Sequence, residues 1–143
     1  MRVKSVKVKI NREAMAQLNK AKERALELTA EAMLSDIKSR AVVPKDIGDL
    51  ERSGFADKGQ ISAKLVAAII FDTPYARRLY YNLPFVDKNG KEHQPVTFQR
   101  TKNHDAQDHW MEYYLDGDGL QWVQETFVRF LKQESGGDRK SVV

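Results

Sequence analysis

The chain has 143 residues, 41% of them hydrophobic and 31% charged, with a net charge of +4. That length suits one domain able to bury about 68–70% of its unfolded surface, and no apolar run approaches the ~18 residues of a membrane span. Cysteine is absent, which excludes a disulfide scaffold, thiol catalysis and cysteine-ligated zinc, and agrees with a reducing cytoplasm.

The charge is unevenly spread. Residues 1–24 hold eight basic side chains against Glu13 and Glu23, a net of +6, while residues 103–128 hold six acids and no lysine or arginine. Nucleic-acid binders gather positive charge without such a counter-pole. A polarised chain can set one copy's basic surface against the next copy's acidic one, or both can be solvated faces of one domain.

Val6, Val8 and Ile10 alternate with lysines, the period of a strand with one wet face, and the segment has no secretory apolar core. Asn11 then offers an N-cap. From Arg12 to about Ser39 neither glycine nor proline occurs, and Met15, Leu18, Ala21, Ala25, Leu28, Ala32, Met33 and Ile37 recur at helical spacing. This predicts one amphipathic helix of about 28 residues, roughly 42 Å long, needing a whole sheet or a neighbouring subunit to cover it. Pro44 forces Val43 out of helical space, and Gly48 and Gly54 punctuate a turn-rich connection. "FADKGQ" reads as a strand end and hairpin loop, and Ile61–Phe71 as the central strand. Asp72 or Thr73 is placed to cap a short helix over "YARRLYYN", with Pro74 at its first position.

Residues 83–103 form an irregular loop far above the usual ~4–6 residues, with a small hairpin around a predicted type I′ turn at Asn89–Gly90. Ala106, Trp110 and Tyr114 lie four apart, on one face of a further helix. "DGDG" at 116–119 breaks the chain. Leu120, Val123, Phe127, Phe130 and Leu131 make a final amphipathic helix, and residues 135–143 a flexible tail. The expectation is an α+β fold over residues 1–134: a small antiparallel sheet with one long N-terminal helix packed on it, short C-terminal helices and a long irregular loop.

Catalytic constellations are weak. His104, Asp105, Asp108 and His109 supply metal-ligating groups, but helical spacing divides them between two faces and His93 is the only other histidine. Ser53 precedes Gly54 without a nucleophile-elbow frame. Asp116 and Asp118 lack the spacing and terminal glutamate of a calcium loop. Glu51, Asp72 and Glu112 have nothing that pairs them for acid–base work. No enzyme, cofactor or metal is expected. Tyr75, Arg77, Arg78, Tyr80 and Tyr81 could stack on bases and bind phosphate. The alternative is a half-buried helix, with Ala76, Leu79 and Tyr80 on one face and the arginines paired to acids such as Asp72.

Three motifs carry a resemblance: "VPKDIGDLERSG" (43–54), "IIFDTPYARRLYYN" (69–82) and "NHDAQDHW" (103–110). In this order, within about residues 11–130, they resemble the minor capsid proteins of tailed bacteriophages, similar to head–tail joining or tail-completion proteins. Ile47 stands where that pattern has threonine, and the third motif lacks its proline, which leaves the loop's docking partner open. The resemblance implies a non-enzymatic neck subunit of the virion, made in the host cytoplasm and assembling into a ring between portal-bound head and tail. Its partners would be copies of itself and other neck and tail proteins, with DNA passing through the lumen and no membrane. It marks Pro44, Gly48, Leu50 and Ser53 as a turn motif. Tyr75, Arg77, Arg78, Tyr80, Tyr81 and Trp110 become packing or subunit-contact residues. The rival is a small nucleic-acid-binding protein using the 75–81 cluster.

Overall fold

A computed structural model describes residue 9 and residues 11–45 and 49–136. The predicted first strand, Gly48 and most of the predicted tail lie outside the described residues. Helix α1 spans Arg12–Ser39, and Asn11 caps it as expected, its Oδ1 accepting from the Ala14 amide at 3.0 Å. A short α2 (Asp49–Arg52) leads into β1 (Gly54–Asp57), then α3 (Ile61–Lys64), β2 (Ala68–Phe71) and α4 (Ala76–Tyr81). A two-residue pair, β3 (Phe85–Val86) and β4 (Glu92–His93), follows; then come a 3₁₀ turn at Glu112–Tyr114 and α5 (Gly117–Glu134). The fold is α+β.

The sheet component is small. β1 and β2 pair antiparallel, Gly54 opposite Phe71 and Asp57 opposite Ala68, and β3 pairs antiparallel with β4. The core lies where the end of α1 (Met33, Ile37), Val42, Val43, Leu50 and β2 (Ile69, Phe71) converge on Trp110 and Tyr114. The other support for α1 is α5. Tyr114, just before α5, donates its hydroxyl to Asp36 late in α1, and Glu134 at the far end of α5 lies 3.7 Å from Arg24. The two helices therefore run antiparallel. Small buried residues (Ala21, Ala25, Thr29 and Ala30 on α1, Gly119 and Thr126 on α5) mark the inward stripes and permit close approach. Residues 11–17 are exposed, so the first turns of α1 extend past this support, with Met15 uncovered.

Several expectations need correction. Ile61–Phe71 is not one strand: its first four residues wind into α3, and Leu65 closes that turn at φ 54°, its amide bonding to the Ile61 carbonyl at 2.8 Å. Alanine, lysine and leucine favour the helical turn, and the strand survives only where β-branched Ile69 and Ile70 face β1. The stretch 101–111 is not helical. Its amides bond across the chain, Asp105 to the Ala41 carbonyl at 3.2 Å and Gln107 to that of Val42 at 3.0 Å. His109 at φ 49° prevents helical continuation. Ala106, Trp110 and Tyr114 are nevertheless all buried. "DGDG" begins α5 rather than interrupting a helix, with Asp116 extended at the N-cap. A Cβ on Gly119 would be driven into the Tyr113 carbonyl, which makes this position glycine-only. Neither Asp72 nor Thr73 caps α4 through its side chain. Tyr75 is the N-cap residue, so Pro74 sits before the helix. No helix among the described residues is long and apolar enough to cross a membrane.

Candidate interface: the hairpin arm and its platform

Helix α4 presents the two faces expected of it. Ala76 is buried, Leu79 and Tyr80 are half-buried, and Tyr75, Arg77, Arg78 and Tyr81 are exposed. Tyr80 meets the Trp110 ring edge-on at 4.9 Å and lies 5.2 Å from His109, while Phe71 meets Trp110 at 5.6 Å. The His109 amide donates to the Tyr80 carbonyl at 2.8 Å, fixing the strap to the end of α4. Burial pushes the Tyr80 hydroxyl above its ordinary pKa, with the Glu112 charge adding to it and a Met111 backbone hydrogen bond opposing it. Tyr80 and Trp110 are thus joined in packing, Tyr81 lies on the rim against His109, and Tyr75 lies apart.

The arginines do not pair with acids among the described residues. The Arg78 guanidinium sits 4.6 Å from the Phe85 ring centroid, a cation–π contact. Arg77 is exposed and makes no ion pair there. The Asp72 amide instead donates to the Ser53 Oγ at 3.1 Å, and that hydroxyl donates to the Leu50 carbonyl at 2.7 Å. Ser53 therefore latches the turn to the exit of β2; both its proton and a lone pair are engaged, so it is no free nucleophile. Pro44 and Leu50 of the same turn are buried. With Tyr75, Leu79, Val96 and Phe98 they line an open groove of about 470 Å³, so the turn motif and the tyrosine cluster share one surface.

Sequence reasoning missed the residue that ties this platform together. Asn103 is buried, and its Nδ2 donates to the Val43 carbonyl at 2.8 Å and to Glu51 Oε2 at 2.7 Å. Lys45 lies 3.3 Å from the other Glu51 oxygen. The signal was an asparagine opening the third motif, where nothing local required one. Glu51 is accordingly a structural acceptor.

The 83–103 loop is more organised than its sequence suggests. Asn82, at φ 46°, donates its Nδ2 to the Val96 carbonyl at 2.9 Å and accepts from the Val96 amide at 2.7 Å. That paired clasp closes residues 83–95 into an arm. The turn at its tip is not type I′. Gly90 alone carries a positive φ (80°), its amide donates to the Asp87 carbonyl at 3.0 Å, and the Asp87 amide donates to the Lys91 carbonyl at 2.9 Å. This is a three-residue loop with glycine in the left-handed position. The Asp87 carboxylate also accepts from the Asn89 and Lys91 amides and lies 2.9 Å from His93 Nε2. The His93 hydrogen bond is the main cause holding its pKa below the ordinary value. His93 stacks on Phe85 at 4.5 Å. Leu83 and Val86 remain 66% and 63% exposed, so the arm is hydrogen-bonded at its base and tip yet uncovered.

The metal-ligand candidates do not assemble. His109 Nδ1 pairs with Asp108 at 3.0 Å, His104 and Asp105 are exposed, and His93 belongs to the arm. No group of three or more ligating side chains occurs among the described residues. Asp116 and Asp118 open α5. Comparisons with protein-family models, curated proteins and solved structures find no match to the chain.

Proposed function

We propose that this chain is a structural subunit: a neck component of a tailed-phage virion that assembles with copies of itself into a ring between the portal-bound head and the tail. The observation that carries the proposal is the arm. A hairpin locked by the Asn82 clasp and the Asp87 network presents uncovered Leu83 and Val86, and ordered apolar side chains held in water mark a contact surface. A docking platform of buried turn residues and an open apolar groove lies at its base. The order of the three motifs along the chain supports the phage assignment. Ring closure needs heterologous contacts, which a projecting arm on one side of a subunit supplies.

Imaging of virions carrying a labelled copy tests the proposal: the label is expected as a ring at the head–tail junction. Label in the capsid shell or the tail fibres, or none in the particle, refutes it. Gel-shift at moderate salt tests the rival role. Saturable binding to short DNA that is lost on Arg77→Ala would favour a nucleic-acid function for the exposed Arg77–Tyr81 face.

A further inference from the structure

We infer that the arm of one copy docks on the acidic start of α5 in the next copy, and that this contact is the head-to-tail joint between subunits. The inference rests on the reading that copies assemble, and it names the two surfaces that meet.

The first surface is the arm and its base. Residues 77–102 carry six basic side chains and two acids, a net of +4. One of those acids, Asp87, is already engaged by His93. Arg77, Lys88 and Lys91 are exposed and make no ion pair among the described residues. Between these charges stand Leu83, Phe85 and Val86, 66%, 37% and 63% exposed.

The second surface is the turn from the 3₁₀ segment into α5. Residues 103–128 carry six acids and no lysine or arginine, a net of −6. Glu112, Asp116 and Asp118 are exposed and also lack a cationic partner among the described residues. The positive end of the α5 dipole favours Asp116 and Asp118 where they stand, but it does not account for the apolar side chains among them. Leu115 is 65% exposed and Leu120 37%, whereas Tyr113, 40% exposed, already carries the Arg40 guanidinium 3.7 Å over its ring and is not counted in the patch. Each surface is therefore an apolar patch rimmed by unpaired charge, and the rims are opposite in sign. Such complementarity selects partner and register.

The two patches differ, so the contact is heterologous unless two copies exchange arms reciprocally, which would stop at a dimer and give no ladder. In the head-to-tail joint the contact is made one way only. Each copy retains a free arm and a free acidic patch, and the contact propagates until a rotation closes it. A second copy is the occupant that supplies both charge signs at once. The N-terminal lysines, the other basic segment of the sequence, are not needed for it.

The absence of cysteine makes the test direct. A chain carrying Val86→Cys and Leu115→Cys, treated with a short thiol cross-linker at high concentration, is expected to give a ladder of dimers, trimers and higher species. A control chain pairs Val86→Cys with Val128→Cys, an exposed site elsewhere on α5, and is expected to stop near background. Lys88→Glu with Lys91→Glu should lower the ladder yield by about tenfold, and Glu112→Lys with Asp118→Lys on the receiving chain should restore it. Circular dichroism checks that each variant folds. A ladder equal in the control pair, or one indifferent to charge reversal, overturns the inference. If it fails while labelled protein still forms a ring in virions, the ring reading stands and only this joint is wrong. If neither cross-linked ladder nor labelled ring appears, both fall.

Discussion

Replacing Asn103 by alanine removes the donor that bonds the 103–107 strap to Val43 and Glu51. The lost bonds are one to the neutral Val43 carbonyl and one to the Glu51 carboxylate. A neutral bond contributes about 1 kcal/mol and one to a charged acceptor about 1.5–3. The Glu51 side chain keeps its Lys45 contact and is 16% exposed, so water offsets part of the second loss. The expected destabilisation is about 2–3 kcal/mol, a substantial part of the ~5–15 kcal/mol typical of a whole domain. For a chain of this size it lowers the melting temperature by roughly 8 °C. Urea unfolding monitored by tryptophan fluorescence reads it, because Trp110 lies at the far end of the strap. Asn103→Asp sharpens the test, since it turns a donor into an acceptor facing two acceptors and should cost more than alanine. A double-mutant cycle with Glu51→Gln isolates the charged bond. A loss below about 0.5 kcal/mol for Asn103→Ala, or an aspartate variant as stable as wild type, would refute the assignment of Asn103 as the tie.

Three further outcomes are expected. Asn82→Ala loses both bonds of the clasp and leaves alanine in a left-handed conformation that costs about 1 kcal/mol; hydrogen exchange of residues 83–95 should accelerate while that of α1 stays unchanged. Gly119→Ala forces a methyl group against the Tyr113 carbonyl and should destabilise by about 3 kcal/mol, measured by thermal unfolding, where a neutral result would show that α5 starts differently. Burial raises the pKa of Tyr80 and, with the Asp36 hydrogen bond, that of Tyr114. The folded state thus holds protons that the unfolded chain releases near the ordinary value of 10.0, and stability should fall as pH rises through 10. Ultraviolet titration should show the Tyr80 and Tyr114 phenols ionising late, and Tyr114→Phe should remove one of these two late steps.

The sequence by itself determined the long helix and its cap, because helical spacing, strong helix formers and an N-terminal asparagine are local properties, and α1 follows them. It also determined that Ala76, Leu79, Tyr80, Ala106, Trp110 and Tyr114 turn inward, since taking these side chains out of water is favourable whichever backbone carries them. Periodicity could not tell that backbone apart: the burial of 106, 110 and 114 at intervals of four was predicted as helix, yet arises from a strap whose amides bond to residues 41 and 42. Local composition likewise could not announce that Ile61–Lys64 would wind before β2, or that α5 rather than the sheet would support much of α1. The arginine–aspartate pairing inferred from proximity in sequence gave way to Arg78 over Phe85, a contact that exists only once the arm folds back towards α4. Asn103 reaches Val43 and Glu51 across more than fifty residues of chain. Partners that distant are set by which surfaces meet in space, and only the tertiary structure decided them.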